Sequence, residues 1–374
     1  MSAWRTALLA NLAGVLASGW LAVWSASALG GGVAHKQAAH IAMGLLLLLW
    51  GSRRNLEQLS PWVVGAVYTA TLGMLVLVML PGVGQTVNGS QRWLSMGPLG
   101  AVQPSEFAKL ALVLVLARLY APQLRVRSHE SFEASPGWGI LHRFVVATIL
   151  TGIPFALVAK QPDLGTALVL GAIYLGISFL AMVPWWALGA LLGSAGAVMP
   201  LALKEYQRNR LLIFLHPELD PKGMGYHLLQ SKLTIGSGGL WGQGLGNGAM
   251  TQNGFVPENW TDFVFTVIGE ELGWVGCTGL VLLVAGLCLS IACIAFGSKG
   301  RTGSLIAGGV FSMLSFQFLV NLSMTLGLAP VVGIPLPFCS YGGSALVMNM
   351  FALGLVLSQT RAPKRELLAG AVTS

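Results

Sequence analysis

Apolar runs of about 18 or more residues recur from one end of this 374-residue chain to the other, and each is long enough to cross a hydrocarbon layer of about 30 Å as a helix. Inside lipid no water completes the hydrogen bonds of the backbone, so such segments persist as helices packed on one another. Composition points the same way: 55% of the residues are hydrophobic and 9% charged, roughly a third of the charged share of a soluble domain. The chain is therefore expected to be an all-α polytopic membrane protein with ten transmembrane spans, at 7–28, 37–51, 62–80, 105–121, 143–159, 165–182, 186–203, 272–296, 303–327 and 344–360. Residues 1–374 form one integral membrane domain on this reading, with a long outer loop at 204–262 between spans seven and eight and a Ser-, Pro- and Gly-containing connector at 122–142.

Lysine and arginine set the orientation, because short loops rich in them stay cytoplasmic. With the N-terminus inside, 12 of the 21 basic residues fall on inner segments: Arg5, Arg53, Arg54, Arg118, Arg125, Arg127, Arg143, Lys299, Arg301, Arg361, Lys364 and Arg365. Short outer loops and span edges hold Lys36, Arg92, Lys109 and Lys160, and the rest lie in the long outer loop, which the rule does not govern. Both termini are thus expected in the cytoplasm. Ala26-Ser27-Ala28 resembles a signal-peptidase site, but the apolar run before it exceeds the usual 7 to 15 residues, and the first span is expected to be an uncleaved anchor. Cys277, Cys288, Cys293 and Cys339 lack metal-ligand spacing and are expected to be packing residues. The positive residues are dispersed with no aromatic platform between them, so the net charge of +8 reflects the inner loops and not nucleic-acid binding.

Most of the unusual polar residues gather on the expected outer face. In "QPSEFAKL", 103–110, Glu106 suits the first turn of a helix, and Lys109 three residues later shares its face and can pair with it. Such a pair within a leaflet is costly unless it faces a cavity or partner. In "KQPDLGTA", 160–167, Asp163 is either a helix cap or part of a site wall, and the two roles are compatible. Residues 225–234 are amphipathic and expected to lie along the membrane surface as a short helix. The glycines from Gly236 to Gly248 have neither the Walker nor the Gly-x-Gly-x-x-Gly spacing, so a tightly turned loop is expected and not a nucleotide site. In "PENWTDFVF", 257–265, Asp262 is equally readable as a helix cap, with Thr261 as rival, or as an active-site carboxylate. A continuous helix from Asp262 to Phe296 would be about 52 Å long, so either it tilts and protrudes or a polar segment carrying Glu270 and Glu271 precedes a span starting near Leu272. The second is favoured, since paired carboxylates deep in hydrocarbon are expensive. Prolines and Gly342-Gly343 in "APVVGIPLPFCSYGGSALV", 329–347, forbid a regular helix there and leave either a connector or a polar lining.

In this order the blocks "QRWLSMGP", "QPSEFAKL", "QPDLGTA", "GYHLLQSKLTIGSGGL", "PENWTDFVFTVIGEELG" and "PLPFCSYGGSAL" closely resemble the SEDS family (shape, elongation, division and sporulation) across essentially the whole chain, and "PVVGIPLP" resembles its RodA branch. The resemblance implies a ten-helix peptidoglycan glycosyltransferase of the bacterial cytoplasmic (inner) membrane that polymerises lipid II on the outer face during cell elongation. It also implies a class B penicillin-binding protein as transpeptidase partner, among other elongation-complex membrane proteins. It carries the family's essential aspartate onto Asp262 and places Glu106, Lys109, Asp163, Arg92, Lys232 and Ser344 in the substrate-binding wall, with Gln103, Ser105 and Ser340 beside them. Trp260 stands where family members often have His, so a proton relay through that neighbour is not expected here.

The implied chemistry is inverting glycosyl transfer with Asp262 as general base and undecaprenyl pyrophosphate as leaving group. A diphosphate already leaves well, so the second carboxylic acid of a glycosidase pair is less needed. Its developing charge calls for Lys109, Arg92 or a bound divalent cation such as Mg or Mn; no cofactor is otherwise implied. The alternative is a lipid II flippase, which would need polar groups near mid-membrane that open in turn to both faces.

Overall fold

The computed structural model describes residues 2–27, 32–56, 59–87, 90–95, 101–122, 138–202, 205–298 and 300–360. Each of the ten expected spans falls on one helix: α1 Ser2–Ala26, α2 Val33–Gly51, α3 Pro61–Leu77, α4 Pro104–Tyr120, α5 Trp138–Lys160, α6 Leu164–Leu180, α7 Trp185–Ala202, α11 Val264–Gly297, α12 Arg301–Thr325 and α13 Gly343–Ser358. Five of them, α1, α2, α5, α11 and α12, are long and apolar enough to cross a bilayer, and α3, α6, α7 and α13 contain shorter apolar stretches. The chain is a multi-pass helical membrane protein. Most of the connector expected at 122–142 lies outside the described residues, as do Arg125, Arg127, Lys299, Arg361, Lys364 and Arg365.

At the centre, α4 and α12 pack on α6 and on each other, while α2 lies along α13 and α1 along α11. Helix α4 is buried on nearly every side, with Leu112, Val113, Leu116, Ala117 and Tyr120 fully enclosed. Helix α7 touches little beyond α6 and exposes Trp185, Trp186, Leu192 and Val198, the pattern of a helix that faces lipid.

At one end of the bundle the α2–α3, α6–α7 and α11–α12 connections are short, and the other end carries most of the described chain outside the spans. This loop-rich end holds a small antiparallel sheet, β1 Gly84–Val87, β2 Ser90–Ser95 and β3 Ala101–Val102, ordered β1-β2-β3. It also holds α8 Glu205–Leu215, α9 Met224–Ser237 and the single turn α10 Ala249–Gln252. The expected amphipathic helix at 225–234 is thus α9, while α8, α10 and the sheet were not foreseen.

The long eighth span is two helical pieces in one. Gly273 leaves the helical region at φ 65°, ψ −162°, which breaks α11 close to where the polar segment was expected to end. The break frees backbone groups, and the glycine-rich loop before α10 takes them up: Trp274 N donates to Gly239 O at 2.9 Å and Gln243 N to Glu270 O at 2.9 Å. The paired carboxylates are buried but partnered. Glu270 accepts from Met250 N at 2.7 Å and Thr251 N at 2.9 Å, and Glu271 accepts from the Ser25 hydroxyl of α1. A β-carbon on Gly273 would stand 2.4 Å from Gly242 N, so the site tolerates neither a side chain nor an ordinary φ. Gly273→Ala is expected to destabilise the fold by at least about 1–3 kcal/mol, the cost of holding a non-glycine residue in that sparsely populated backbone region, visible as a lower unfolding temperature of the detergent-solubilised protein.

Candidate active site at the loop-rich end

The site is built where α4, α6 and α11 begin. Pro104 at the first position of α4 fixes its start, and Glu106 in the first turn and Lys109 in the next form the expected pair, Nζ to Oε2 2.7 Å, with side chains only 4% and 2% exposed. Lys109 is thereby neutralised within the wall. Asp163 caps α6, accepting from Thr166 N at 3.1 Å and Thr166 Oγ1 at 2.8 Å, and at the same time accepts from Gln103 Nε2 at 3.1 Å. Arg92 on β2 approaches the same carboxylate at 3.7 Å. Asp163 is thus a cap, and its carboxylate ties α6, α4 and the sheet together.

Asp262 differs from every one of these. The residue that caps α11 is Phe263, without a side-chain hydrogen bond, so Asp262 is not a cap, and Thr261 instead turns its hydroxyl to Glu258 at 2.7 Å. Among the described residues no donor or cation bonds the Asp262 carboxylate, although its backbone is held firmly. Asn321 Nδ2 donates to Asp262 O at 2.8 Å and to Ile334 O at 2.7 Å, the Ser340 hydroxyl donates to Thr261 O, and Tyr341 N donates to Trp260 O at 2.8 Å. These bonds lock the segment before α11 onto the irregular 329–342 stretch, whose Gly333 lies under the carboxylate: a β-carbon there would sit 3.4 Å from Asp262 Oδ2. Burial pushes the Asp262 carboxyl up to about 6, with Glu258 and Asp163 adding to the rise and Arg92 and Arg210 opposing it.

Arg210 is the residue that sequence reasoning missed. It sits on α8, donates from Nη1 to Val331 O at 3.2 Å, and lines a cavity of about 460 Å³ with Ser90, Pro162, Tyr206, Asn209 and Asp220. Nothing in "EYQRNRLLIF" marks which arginine turns inward; only the packing of α8 against α9 does. Two sequence candidates stand apart from the carboxylates. Lys232 is exposed on α9 with its stem over Gly327 and pairs with no carboxylate among the described residues. Ser344 lies in the first turn of α13, its hydroxyl buried and without a partner among the described residues. Among the described residues no three His, Cys, Asp or Glu side chains come together as a metal site.

The family model for FtsW, RodA and SpoVE, described as cell cycle protein, matches residues 2–365. The chain belongs to that family. The FtsW/RodA/SpoVE relatives include peptidoglycan glycosyltransferase MrdB of Escherichia coli K12, 37% identical over 342 residues that cover 90% of this chain and 88% of MrdB. A solved chain from a peptidoglycan synthase complex that coordinates polymerization and crosslinking matches with TM-score 0.76 and 33% identity, covering 94% of this chain and 95% of that one. The crystal structure of Thermus thermophilus rod shape determining protein RodA matches with TM-score 0.66 and 28% identity, covering 95% and 97%.

Because the Glu106–Lys109 pair is almost fully enclosed, removing one partner leaves a bare buried charge. Glu106→Gln is expected to cost about 3–5 kcal/mol, while Glu106→Leu with Lys109→Met together should recover most of that stability; thermal unfolding in detergent reads both.

Proposed function

We infer that this chain is a peptidoglycan glycosyltransferase of cell elongation and that Asp262 is its general base. The observation that carries the assignment of Asp262 is its carboxylate: rigidly placed, free of cap or ion pair among the described residues, and held near neutrality by burial. The MrdB relative is named as a peptidoglycan glycosyltransferase, and the similarity extends over nine-tenths of both chains.

The substrate on this reading is lipid II, and the loop-rich end lies outside the cytoplasmic membrane with both termini within the cell. Arg53, Arg118, Arg143 and Arg301 stand at the opposite end of the bundle, as the rule for basic loops requires of a cytoplasmic face. As the acceptor 4-hydroxyl oxygen attacks C1 of the donor sugar, its proton passes to the Asp262 carboxylate. The C1–O bond to the diphosphate breaks with its electron pair on the diphosphate oxygen, turning an α-linked donor into a β-1,4 bond. Arg92, on β2 beside Asp163, offsets the negative charge that develops there. No step is assigned to a divalent cation, since the oxygens of Asp163 are already committed to Thr166 and Gln103. A class B penicillin-binding protein is the proposed partner, in keeping with the synthase complex in which the structural neighbour was solved. A flippase would need such polar groups at mid-membrane, and here Arg92, Glu106, Lys109, Asp163, Arg210 and Asp262 all crowd one end.

Incubating the purified chain with lipid II tests this directly. The wild type is expected to make glycan polymer and Asp262→Asn to do so about 10² to 10⁴ times more slowly while remaining folded; a variant polymerising at the normal rate would exclude Asp262 as the base.

The pH dependence follows from sign. A carboxyl raised from 3.8 to about 6 is protonated, and so inactive as a base, below that pH, and the rate rises as pH climbs through about 6. Glu258 raises it further, so Glu258→Gln should move the rising limb to lower pH, read from initial polymerisation rates across buffers.

A further inference from the structure

We propose that Arg210 and Arg92 form a clamp for the diphosphate of a lipid-linked sugar. The inference rests on the glycosyltransferase reading and adds to it the residue that grips the leaving group. A guanidinium taken partly out of water ordinarily finds a carboxylate, and a buried cation without one is costly. Arg210 has none within pairing distance among the described residues: it spends one N–H on Val331 O at 3.2 Å, and its Nε is buried with no partner. Among the described residues Arg92 leaves its own Nε buried and unpartnered too, and meets Asp163 only at 3.7 Å. Neither arginine is used up by the protein.

Their placement suits one ligand chemistry. Arg210 lines the cavity of about 460 Å³ together with Ser90, two residues from Arg92 on β2, and Pro162, next to Asp163. The acidic residue of the cavity lining, Asp220, faces the start of α9, accepting from Gly223 N at 3.0 Å and Met224 N at 2.8 Å, so its charge is held by backbone amides. Val331 takes the Arg210 bond, and Gly333, two residues on, lies under the Asp262 carboxylate, so the 329–342 stretch sets the clamp beside the base. The sequence had offered Lys109 for this task, but Lys109 is bonded to Glu106 at 2.7 Å inside the wall. Two planar forks with free N–H groups match two adjoining phosphates, each of which accepts paired bonds from a guanidinium. In the transfer step the electron pair released by the breaking C1–O bond settles on the phosphate oxygen that the clamp holds.

The test uses the full-length protein in detergent with lipid II as substrate and inorganic pyrophosphate as competitor, with inorganic phosphate and anionic phospholipid micelles as controls. The wild type is expected to be inhibited by pyrophosphate more strongly than by either control. Arg210→Gln should raise KM for lipid II about 10- to 100-fold, the effect of one lost charge-assisted hydrogen bond, and blunt pyrophosphate inhibition equally, with the pH at which the rate rises little moved. An unchanged KM and unchanged pyrophosphate inhibition in Arg210→Gln would overturn the clamp while leaving polymerisation by the wild type intact; a wild type that makes no polymer would instead sink the underlying reading. Should Arg210→Gln fail to fold, Arg210→Lys carries the test, because a single ammonium keeps the charge but not the fork: KM rises about tenfold if the clamp is right and stays put if it is wrong. Equal inhibition by phospholipid micelles and pyrophosphate would also overturn it, marking a general phosphate contact and not a diphosphate clamp.

Discussion

A charge removed from water must be paired, and the loop-rich end of this bundle is organised by where that rule is obeyed and where it is not. Lys109 and Glu106 satisfy each other, Asp163 is held by Thr166, Gln103 and Arg92, and Glu270 is wrapped by the amides of α10. Against that background Asp262 and Arg210 stand out: among the described residues the Asp262 carboxylate has no partner and Arg210 bonds a backbone carbonyl but no carboxylate. Such groups lower stability and are kept where they serve a reaction.

The rigidity that makes this arrangement affordable comes from irregular backbone. The break in α11 at Gly273 lets the glycine-rich loop dock on it, and this loop leads into α10, whose amides hold Glu270. Asn321 of α12 then ties Asp262 O to Ile334 O, joining the start of α11 to the segment before α13. A carboxylate without bonds of its own among the described residues is thereby fixed between α12 and the stretch before α13. Non-helical backbone at this depth persists because its polar groups find protein partners.

How much of this was legible depended on the length over which each signal is written. The ten helices were plain, since hydrophobicity sustained across about 18 residues admits little else. The Glu106–Lys109 pair followed from spacing on one helix face, and the two-part eighth span from the cost of burying Glu270 beside Glu271. The sheet was hard to read because its strands, GQTV and SQRWLS, lack apolar–polar alternation and leave Asn88-Gly89 between them as the hairpin signal. Arg210, Asn321 and the separate setting of Lys232 were not readable, because each depends on how segments far apart in sequence pack. The choice between cap and base at Asp262 was balanced on sequence alone, family resemblance favoured the base, and the structure removes the cap.

The central claim is that the Asp262 carboxylate is free and titrates near neutrality because burial, and not a partner, governs it. Infrared difference spectroscopy of the detergent-solubilised protein with ¹³C-labelled aspartate, compared with Asp262→Asn, measures this proton directly. A protonated carboxyl band that disappears with a midpoint near pH 6 and is missing from the variant is the predicted result. A midpoint near the ordinary aspartate value of about 4, or a band unchanged in Asp262→Asn, would contradict the account.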